Sequence, residues 1–183
     1  ALREKEADVI VADNLQINNI VQILGSRDYS DHQRNMYLKF IYDRFELMRA
    51  NGVNFINIDA RNLNSLNDAY SSFKPSKIVH LAAISSAGVA NKNPSLAYDI
   101  QINSLRNVID ICKNHLGITN QIVFMSSSTI YGDFKEKSVS EEIRPQPKGV
   151  YANGKYIGER MVREAKTLFG IDFKGSGEGM MFL

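Results

Sequence analysis

The chain has 183 residues, of which 44% are hydrophobic and 23% are charged, and its formal net charge is +2. These values fit one globular domain with a sizeable core, and so small a charge gives no argument for binding nucleic acid. No apolar run approaches the roughly 18 residues of a membrane span, and the first residues do not resemble a signal peptide. A cytoplasmic protein with no membrane partner is therefore expected.

Two residue types exclude further classes of protein. The single cysteine, Cys112, lies in an apolar helical stretch, which predicts a buried structural thiol and no internal disulfide. The three histidines, at 32, 80 and 115, are scattered along the sequence. No cluster has metal-ligand spacing, so no metal site is predicted.

Apolar runs and helical periodicity alternate along the chain. Short apolar runs predict strands at 8–14, 53–59, 77–83, 121–128 and 170–173. Helical patterns lie at 31–51, 64–73, 94–115 and 151–169, and the polar segment 133–149 is predicted to be a loop. The expected apolar faces are Met36, Phe40, Phe45 and Leu47 in the first of these helices, and Ile157, Met161, Ala165 and Leu168 in the last.

This alternation predicts a parallel sheet built from crossover connections. Ligands of such sheets bind beyond the carboxyl ends of the strands. Polar residues follow four of the predicted strands: Asp13 and Asn14, then Asp59, then Ser85 and Ser86, then Ser126, Ser127, Ser128 and Thr129.

The stretch "VYANGKYIGER" places Tyr151 four residues before Lys155. Four residues make about one helical turn, so both side chains leave the helix on the same face. A phenol and an ammonium do not form an ion pair at neutral pH, because the ordinary pKa of a tyrosine is roughly 10. The pair therefore either carries no function or serves proton chemistry.

Asp13 ends the first predicted strand, where a carboxylate can accept hydrogen bonds from ribose hydroxyls. It would repel a 2'-phosphate, and the next residue is Asn14 rather than an arginine, which favours NAD over NADP. Taken alone, Asp13 is better explained as an ordinary loop aspartate. The hydroxyls of "SSSTIYG" (126–132) either cap a loop or bind a substrate oxygen.

The order of the motifs along the sequence resembles that of one superfamily. An acid follows one strand, "HLAA" follows another, "SSSTIYG" follows a third, and Tyr-x-x-x-Lys opens the next helix. That superfamily is the extended short-chain dehydrogenases/reductases, specifically the NAD-dependent epimerase/dehydratase group that acts on nucleotide sugars. The resemblance runs from about Asp8 to Phe173. It implies a Rossmann-like doubly wound parallel sheet.

The resemblance also implies that the chain is a fragment. The family's first strand and glycine loop are absent, and so is most of the C-terminal substrate domain. The expected organisation is an incomplete NAD-binding Rossmann domain at 1–173, followed by an irregular tail at 174–183. Residues 15–51 form a longer insertion than shorter members of the family have.

Individual roles follow from the resemblance. Tyr151 would be the catalytic acid/base, Lys155 would favour its phenolate form and hold the nicotinamide ribose, and Ser127 would bind the reacting oxygen. Ser128 and Thr129 would line the sugar site. The implied cofactor-binding residues are Asp13, Asn14, Asp59, Ala60, Leu81, Ala82, Ala83, Ser85, Gln101, Ser126 and Lys155. Gln101 stands where the family has an asparagine.

The implied reaction is hydride transfer from a sugar carbon to NAD while Tyr151 removes a proton, which gives a keto-sugar and then the epimer. The alternatives are a reductase or decarboxylase of the same superfamily, or a non-catalytic dinucleotide-binding scaffold protein. Ser127, Ser128 and Thr129 replace the Thr-Asp-Glu of 4,6-dehydratases, which argues against that subclass. The residues leave open which sugar and nucleotide are bound.

The resemblance also implies a homodimer in which helices 94–115 and 151–169 pair into a four-helix bundle, a symmetric arrangement. The apolar positions Leu105, Ile109 and Cys112 are compatible with such an interface. A helix that faces the core would show the same pattern.

Overall fold

The computed structural model describes residues 7–16, 19–84, 86–119, 121–134, 140 and 142–174. The chain divides into two compact units, 1–59 and 60–183. Each unit contains a parallel sheet of its own, so both carry the strand and helix alternation predicted from the sequence.

The first unit is built on two parallel strands, β1 (Ile10–Asp13) and β2 (Asn54–Asn57). Ile10 lies opposite Asn54 and Asp13 opposite Asn57, so both strands end at the same edge. Two helices connect them: α1 (Ile20–Gly25), which the sequence analysis missed, and α2 (Asp31–Ala50). Both helices belong to the predicted insertion.

Helix α2 begins at a capping box, in which Ser30 Oγ accepts from the Gln33 amide and the Gln33 side chain accepts from the Ser30 amide. Its predicted apolar face is wrong in part. Met36, Phe40 and Leu47 are exposed, whereas Ile41 is buried. Phe45, at the partly buried position four residues later, packs edge-on against Phe55 of β2 at 5.2 Å.

The second unit has a three-stranded parallel sheet in the order β3–β4–β5. Its strands are β3 (Lys77–His80), β4 (Gln121–Phe124) and β5 (Phe173–Lys174). Its α-helices are α3 (Leu63–Phe73), α4 (Ala87–Lys92), α5 (Pro94–Tyr98), α6 (Ser104–Asn114) and α7 (Gly149–Phe169). The predicted tail at 174–183 lies outside the described residues, except for Lys174.

The predicted helix 94–115 is one helical run with an irregular centre. Pro94 lies in its first turn, as predicted, and Asn93 Oδ1 accepts from the Leu96 amide. Between α5 and α6 the backbone forms a π-helix, Asp99–Asn103. Such π-turns widen a helix locally and occur frequently at functional sites.

Helix α6 forms the centre of the core of the second unit. Leu105, Ile109 and Cys112 are buried within the chain itself, against residues of α3, β4 and α7. The three positions offered for a dimer interface are therefore core residues, and they give no support for a homodimer. Burial raises the pKa of the Cys112 thiol to about 11, so the predicted structural thiol is confirmed.

Helix α7 starts at Gly149, two residues before its predicted start, and ends at Phe169; the next residue, Gly170, has a φ of 67° that suits glycine. Its predicted apolar face is also wrong in part, because Ile157 and Leu168 are exposed. The buried side chains and glycines of the helix are Ala152, Gly154, Lys155, Gly158, Glu159, Val162 and Ala165. Among the described residues, no helix is long and apolar enough to cross a membrane.

Candidate functional site

Tyr151 and Lys155 lie in the first two turns of α7, on the face that packs into the second unit. The Lys155 Nζ lies 5.9 Å from the centre of the Tyr151 ring. Tyr151 is half-buried against a small apolar cluster made by Ile84, Ala90 and Ala97. The shared direction that the four-residue spacing predicts is therefore present in the fold.

The ammonium of Lys155 is buried, with the residue 5% exposed. Its Nζ donates a hydrogen bond of 2.6 Å to the carbonyl oxygen of Met125, just after β4, and lies 5.3 Å from the centre of the Phe124 ring. Burial lowers the pKa of Lys155 to about 8. The helix thus presents a fixed cation close to a phenol.

His80 ends β3 beneath this lysine, and the sequence analysis gave it no role. Its Nε2 lies 3.3 Å from Ser104 Oγ, and its ring stacks on Phe124 with centroids 6.3 Å apart. Burial and the charge of Lys155 lower the pKa of His80 to about 4. His80 is therefore neutral at pH 7, which avoids a second positive charge beside Lys155.

The end of β4 is tied to α7 by a buried hydrogen bond. Ser126 Oγ donates to Glu159 Oε1 at 2.6 Å, and both residues are less than 8% exposed. Arg163 lies near the same carboxylate, with its Nη2 4.0 Å from Glu159 Oε2. Ser126, a predicted cofactor residue, is thus engaged with Glu159, which the sequence analysis missed.

The spacing of Glu159 was a usable signal. Tyr151, Lys155 and Glu159 follow one another at four-residue steps, so they share one helix face. Polar residues repeated at that spacing beside buried glycines indicate a buried polar face.

The rest of the "SSSTIYG" stretch forms a short 3-10 turn, Ser128–Tyr131, and α7 packs against it. Ser127 Oγ accepts hydrogen bonds from the Thr129 amide at 3.3 Å and from Thr129 Oγ1 at 3.0 Å. Ser127 is half-buried, while Ser128 and Thr129 are exposed. Residues 126–131 include no carboxylate, as their sequence already indicated.

Gln101 lies at the centre of the π-helix and is buried, with 4% exposure. Its Nε2 donates to the Ala97 carbonyl at 3.4 Å, and its Oε1 is buried without a hydrogen-bond partner among the described residues. Helix α7 approaches it at Gly154, where a Cβ would lie 2.8 Å from the Gln101 amide group. An unsatisfied buried oxygen fits a group that accepts from a bound ligand.

The loop after β2 is held by α6 and the π-helix. Asn107 Nδ2 donates to the carbonyl oxygens of Ala60 and Arg61, at 3.0 and 2.9 Å. Arg61 Nη1 lies 2.8 Å from Asp99 Oδ2. The backbone at Ala60, a predicted cofactor residue, is thus held in place by the side chain of Asn107 on α6.

Four predicted cofactor residues follow β3. Leu81 is 60% exposed, and Ala82 and Ala83 are half-buried. Ser85 lies outside the described residues.

In the first unit, the structure brings together Asp13, Asn14 and Asp59 at the ends of β1 and β2. Asn14 Nδ2 donates to Asp59 Oδ2 at 3.0 Å. Asp13 Oδ1 accepts from the Leu15 amide at 2.6 Å, which holds Leu15 at a φ of 53°. A carboxylate that closes its own turn with one oxygen still has a second oxygen that can accept hydrogen bonds.

Among the residues that the structure describes, no group of three His, Cys, Asp or Glu side chains is placed to hold a metal ion. The polar groups described above in the second unit include the Ser126 and Ser127 hydroxyls, the Tyr151 phenol and the buried Lys155 ammonium. These groups can move a proton to or from a substrate hydroxyl and orient it.

Parallel strands with polar residues at their carboxyl ends, followed by a Tyr-Lys helix, define a dinucleotide-dependent enzyme fold of the dehydrogenase type. Residues 1–176 match the model of the NAD dependent epimerase/dehydratase family, and the chain belongs to that family. The resemblance inferred from the motifs is thereby confirmed, and NAD is the cofactor of the family.

Curated relatives include a protein named as an epimerase. The chain is 38% identical over 79 residues to the bifunctional protein GAL10 of Candida maltosa, which covers 43% of this chain and 50% of that protein. It is 28% identical over 156 residues to UDP-glucose 4-epimerase 1 of Oryza sativa subsp. japonica, which covers 85% of this chain and 39% of that protein. The chain thus spans half or less of the length of these relatives.

Solved structures show the same fold. UDP-glucose 4-epimerase of Thermus thermophilus, in complex with NAD, superposes with a TM-score of 0.71 at 24% identity, covering 94% of this chain and 47% of that one. The enzyme of Thermotoga maritima, with UDP-glucose, gives a TM-score of 0.71 at 18% identity, covering 94% and 47%. The predicted Rossmann-like fold is therefore confirmed.

Proposed function

We propose that the protein to which this chain belongs is an NAD-dependent nucleotide-sugar 4-epimerase with Tyr151 as its acid/base. The observation that carries the proposal is the half-buried Tyr151 phenol beside the buried Lys155 ammonium, with Nζ 5.9 Å from the ring centre. The names of the relatives support the substrate class. UDP-glucuronate 4-epimerase 2 of Arabidopsis thaliana, 26% identical over 154 residues, is a further example.

In this proposal Tyr151 takes a proton from a sugar hydroxyl and later returns it. The Lys155 ammonium favours the phenolate form that accepts the proton, because opposite charges attract most strongly where water is excluded. Ser127 donates a hydrogen bond to the same sugar oxygen, and Ser128 and Thr129 line the sugar site. When bound, NAD supplies the hydride acceptor for the sugar carbon.

Each unit offers residues of its own for binding parts of NAD. Asp13, Asn14 and Asp59 would take the adenosine end, since two carboxylates suit ribose hydroxyls and an exocyclic amine. In the second unit, Gln101 Oε1, which has no hydrogen-bond partner among the described residues, can accept a hydrogen bond from the carboxamide of the nicotinamide. The other proposed contacts are Ala60, Leu81, Ala82, Ala83, Ser85, Ser126 and Lys155.

One observation favours a second candidate, a nucleotide-sugar oxidoreductase. The GDP-6-deoxy-D-talose 4-dehydrogenase of Aggregatibacter actinomycetemcomitans is 30% identical over 136 residues, covering 69% of this chain and 44% of that protein. The same Tyr151 and Lys155 would serve that reaction, with the keto-sugar as product or substrate.

A cytoplasmic location and a homodimer stay predictions.

The test uses the full-length natural gene product that contains this chain. Proton NMR would follow UDP-glucose and UDP-glucuronate with NAD, for the unaltered protein, Tyr151→Phe and Tyr156→Phe. The control, Tyr156, lies on the same helix one residue beyond Lys155. We expect inversion at carbon 4, a loss of roughly 10²–10⁴-fold in turnover for Tyr151→Phe, and little change for Tyr156→Phe.

Accumulation of NADH together with a keto-sugar would instead identify the oxidoreductase. Turnover by Tyr151→Phe within threefold of the unaltered protein would contradict the assigned role of the phenol. Binding of NAD without turnover of any nucleotide sugar would favour the non-catalytic scaffold.

A further inference from the structure

We propose that Asn91 is a positioning residue for Tyr151, because its side chain caps the helix that carries the phenol. Asn91 lies on α4, distant in sequence from α7. Its structural role stands on contacts alone, while its importance for catalysis rests on the function proposed above.

Helix α7 has no cap of its own at its first turn. Lys148, the residue before the helix, makes no capping hydrogen bond with its side chain, and the first turn contains no acidic residue. The first amides of a helix have no partner within it, and an uncapped start frays. The turn that carries Tyr151 therefore needs an acceptor from elsewhere.

Asn91 supplies that acceptor. Its Oδ1 accepts a hydrogen bond of 3.0 Å from the Val150 amide, across 59 residues of sequence. The bonded amide belongs to the residue just before Tyr151. The side chain thus holds the Gly149–Val150 peptide unit, one residue before the Cα that carries the phenol.

Packing keeps the acceptor in place. Ala90, next to Asn91, is fully buried, and it forms an apolar cluster with Ile84 and Ala97. Val150 and Tyr151 pack against this cluster. The hydrogen bond and the apolar contact therefore fix the same turn from two sides.

Gly149 makes the close approach of α4 possible. Its φ is 81°, and a Cβ there would lie 3.2 Å from Asn91 Oδ1. A side chain at 149 would be strained in its backbone and would press on the capping amide. Asn153 closes the turn from within, because its Nδ2 donates to the Gly149 carbonyl at 2.8 Å.

The cap matters for the Tyr151–Lys155 pair because the two side chains are held in place by different contacts. Lys155 is held by its own bond to the Met125 carbonyl, at 2.6 Å. The Tyr151 hydroxyl makes no hydrogen bond to any described residue, so the position of the ring depends on the turn and the apolar cluster. Loss of the cap would leave the ammonium in place and free the phenol.

The test compares Asn91→Ala, Asn91→Asp and the control Lys92→Ala in the complete chain. Lys92 is the exposed neighbour of Asn91 on the same helix. NMR would give the exchange rate of the Val150 amide and the ring signal of Tyr151 in ring-labelled protein, assigned with Tyr151→Phe. We expect Asn91→Ala to raise the exchange rate roughly fivefold, the usual effect of losing a cap, and to shift the Tyr151 ring signal.

Asn91→Asp should restore both readouts, because a carboxylate accepts the same hydrogen bond and is favoured at a helix start. Lys92→Ala should change neither. Faster exchange in Asn91→Ala with an unmoved Tyr151 signal would overturn the proposal, since Asn91 would then only stabilise the helix. Unchanged exchange would overturn it as well.

Turnover separates this proposal from the proposed function. If the protein is an epimerase, Asn91→Ala should lower kcat and leave KM within twofold, and Asn91→Asp should recover kcat. If no nucleotide sugar is turned over but the Tyr151 signal still follows the cap, the epimerase assignment fails and the positioning role stands.

Discussion

The two compact units of the chain hold their polar groups in opposite ways. In the first unit, the buried apolar side chains among the described residues are Ile23 and Ile41, and Asp13 is satisfied by the turn that it closes. In the second unit, Lys155 and Glu159 are buried on a core built around α6. The Asp13 carboxylate thus depends on a local turn, whereas the Tyr-Lys pair depends on an entire core.

The largest expected effect tests that core directly. Leu105 is fully buried, so Leu105→Ala should lower the free energy of unfolding by about 2–5 kcal/mol, the usual range for a cavity in a packed core. Ile41→Ala, in the first unit, should lower the free energy of unfolding by about 2 kcal/mol, the low end of that range, because a site with fewer packed neighbours collapses more easily. Urea titration measures both.

Leu168→Ala is the control, because Leu168 is 68% exposed. It should change the free energy of unfolding by less than about 0.5 kcal/mol. Equal losses for Leu105→Ala and Ile41→Ala would break the contrast between the units.

The next effect is a loss of stability in acid that is confined to the second unit. The pKa of His80 is about 4 in the folded chain and about 6.5 when unfolded, so unfolding takes up a proton between these values. Stability should therefore fall as the pH drops from about 6.5 to 4, by about 3 kcal/mol in total. His80→Gln should remove this slope in urea titrations across that range.

His32→Gln provides the comparison in the first unit. His32 is exposed on α2, so the acid slope should persist in this variant. An acid slope that survives in His80→Gln would show that other groups cause it.

A smaller effect is expected at the bond between β4 and α7. Ser126→Ala removes the hydroxyl that donates to the buried Glu159 carboxylate, which should cost about 1–3 kcal/mol in unfolding free energy. Ser128→Ala, at an exposed hydroxyl two residues later, should cost less than about 0.5 kcal/mol. Matching losses in the two variants would mean that Glu159 finds another donor.

The smallest effect on stability is expected at Asp13. Asp13→Ala removes an exposed turn bond and should cost less than about 1 kcal/mol. In the proposed function the same change should weaken NAD binding roughly tenfold, because a charge-assisted hydrogen bond is lost. Calorimetry with NAD measures the affinity, and Asp28→Ala, at another exposed loop aspartate, serves as the control.

The sequence was sufficient for the alternation of strands and helices, because short apolar runs separated by helical periods have few other interpretations. It was insufficient for the faces of α2 and α7. In α7 the buried positions include Gly154, Lys155, Gly158 and Glu159, so a search for apolar residues selected the exposed Ile157 and Leu168 instead. The buried face of α7 was missed because it carries the polar groups proposed for the site.

Other features left no signal in the pattern. The π-helix at 99–103 lies inside an uninterrupted helical sequence, and helices of six residues such as α1 and α4 are too short to show a period. His80 was visible only as part of a strand end. Asn91 became visible only once the fold placed it beside Val150.

The contact between Gly154 and Gln101 links two distant positions by volume. A Cβ at 154 would lie 2.8 Å from the Gln101 amide group, and Gln101 has a buried oxygen that cannot move into solvent. In a randomised library, larger residues at 154 should therefore survive only in clones that carry a shorter side chain at 101. When this helix is engineered, residues 101 and 154 should therefore be varied together.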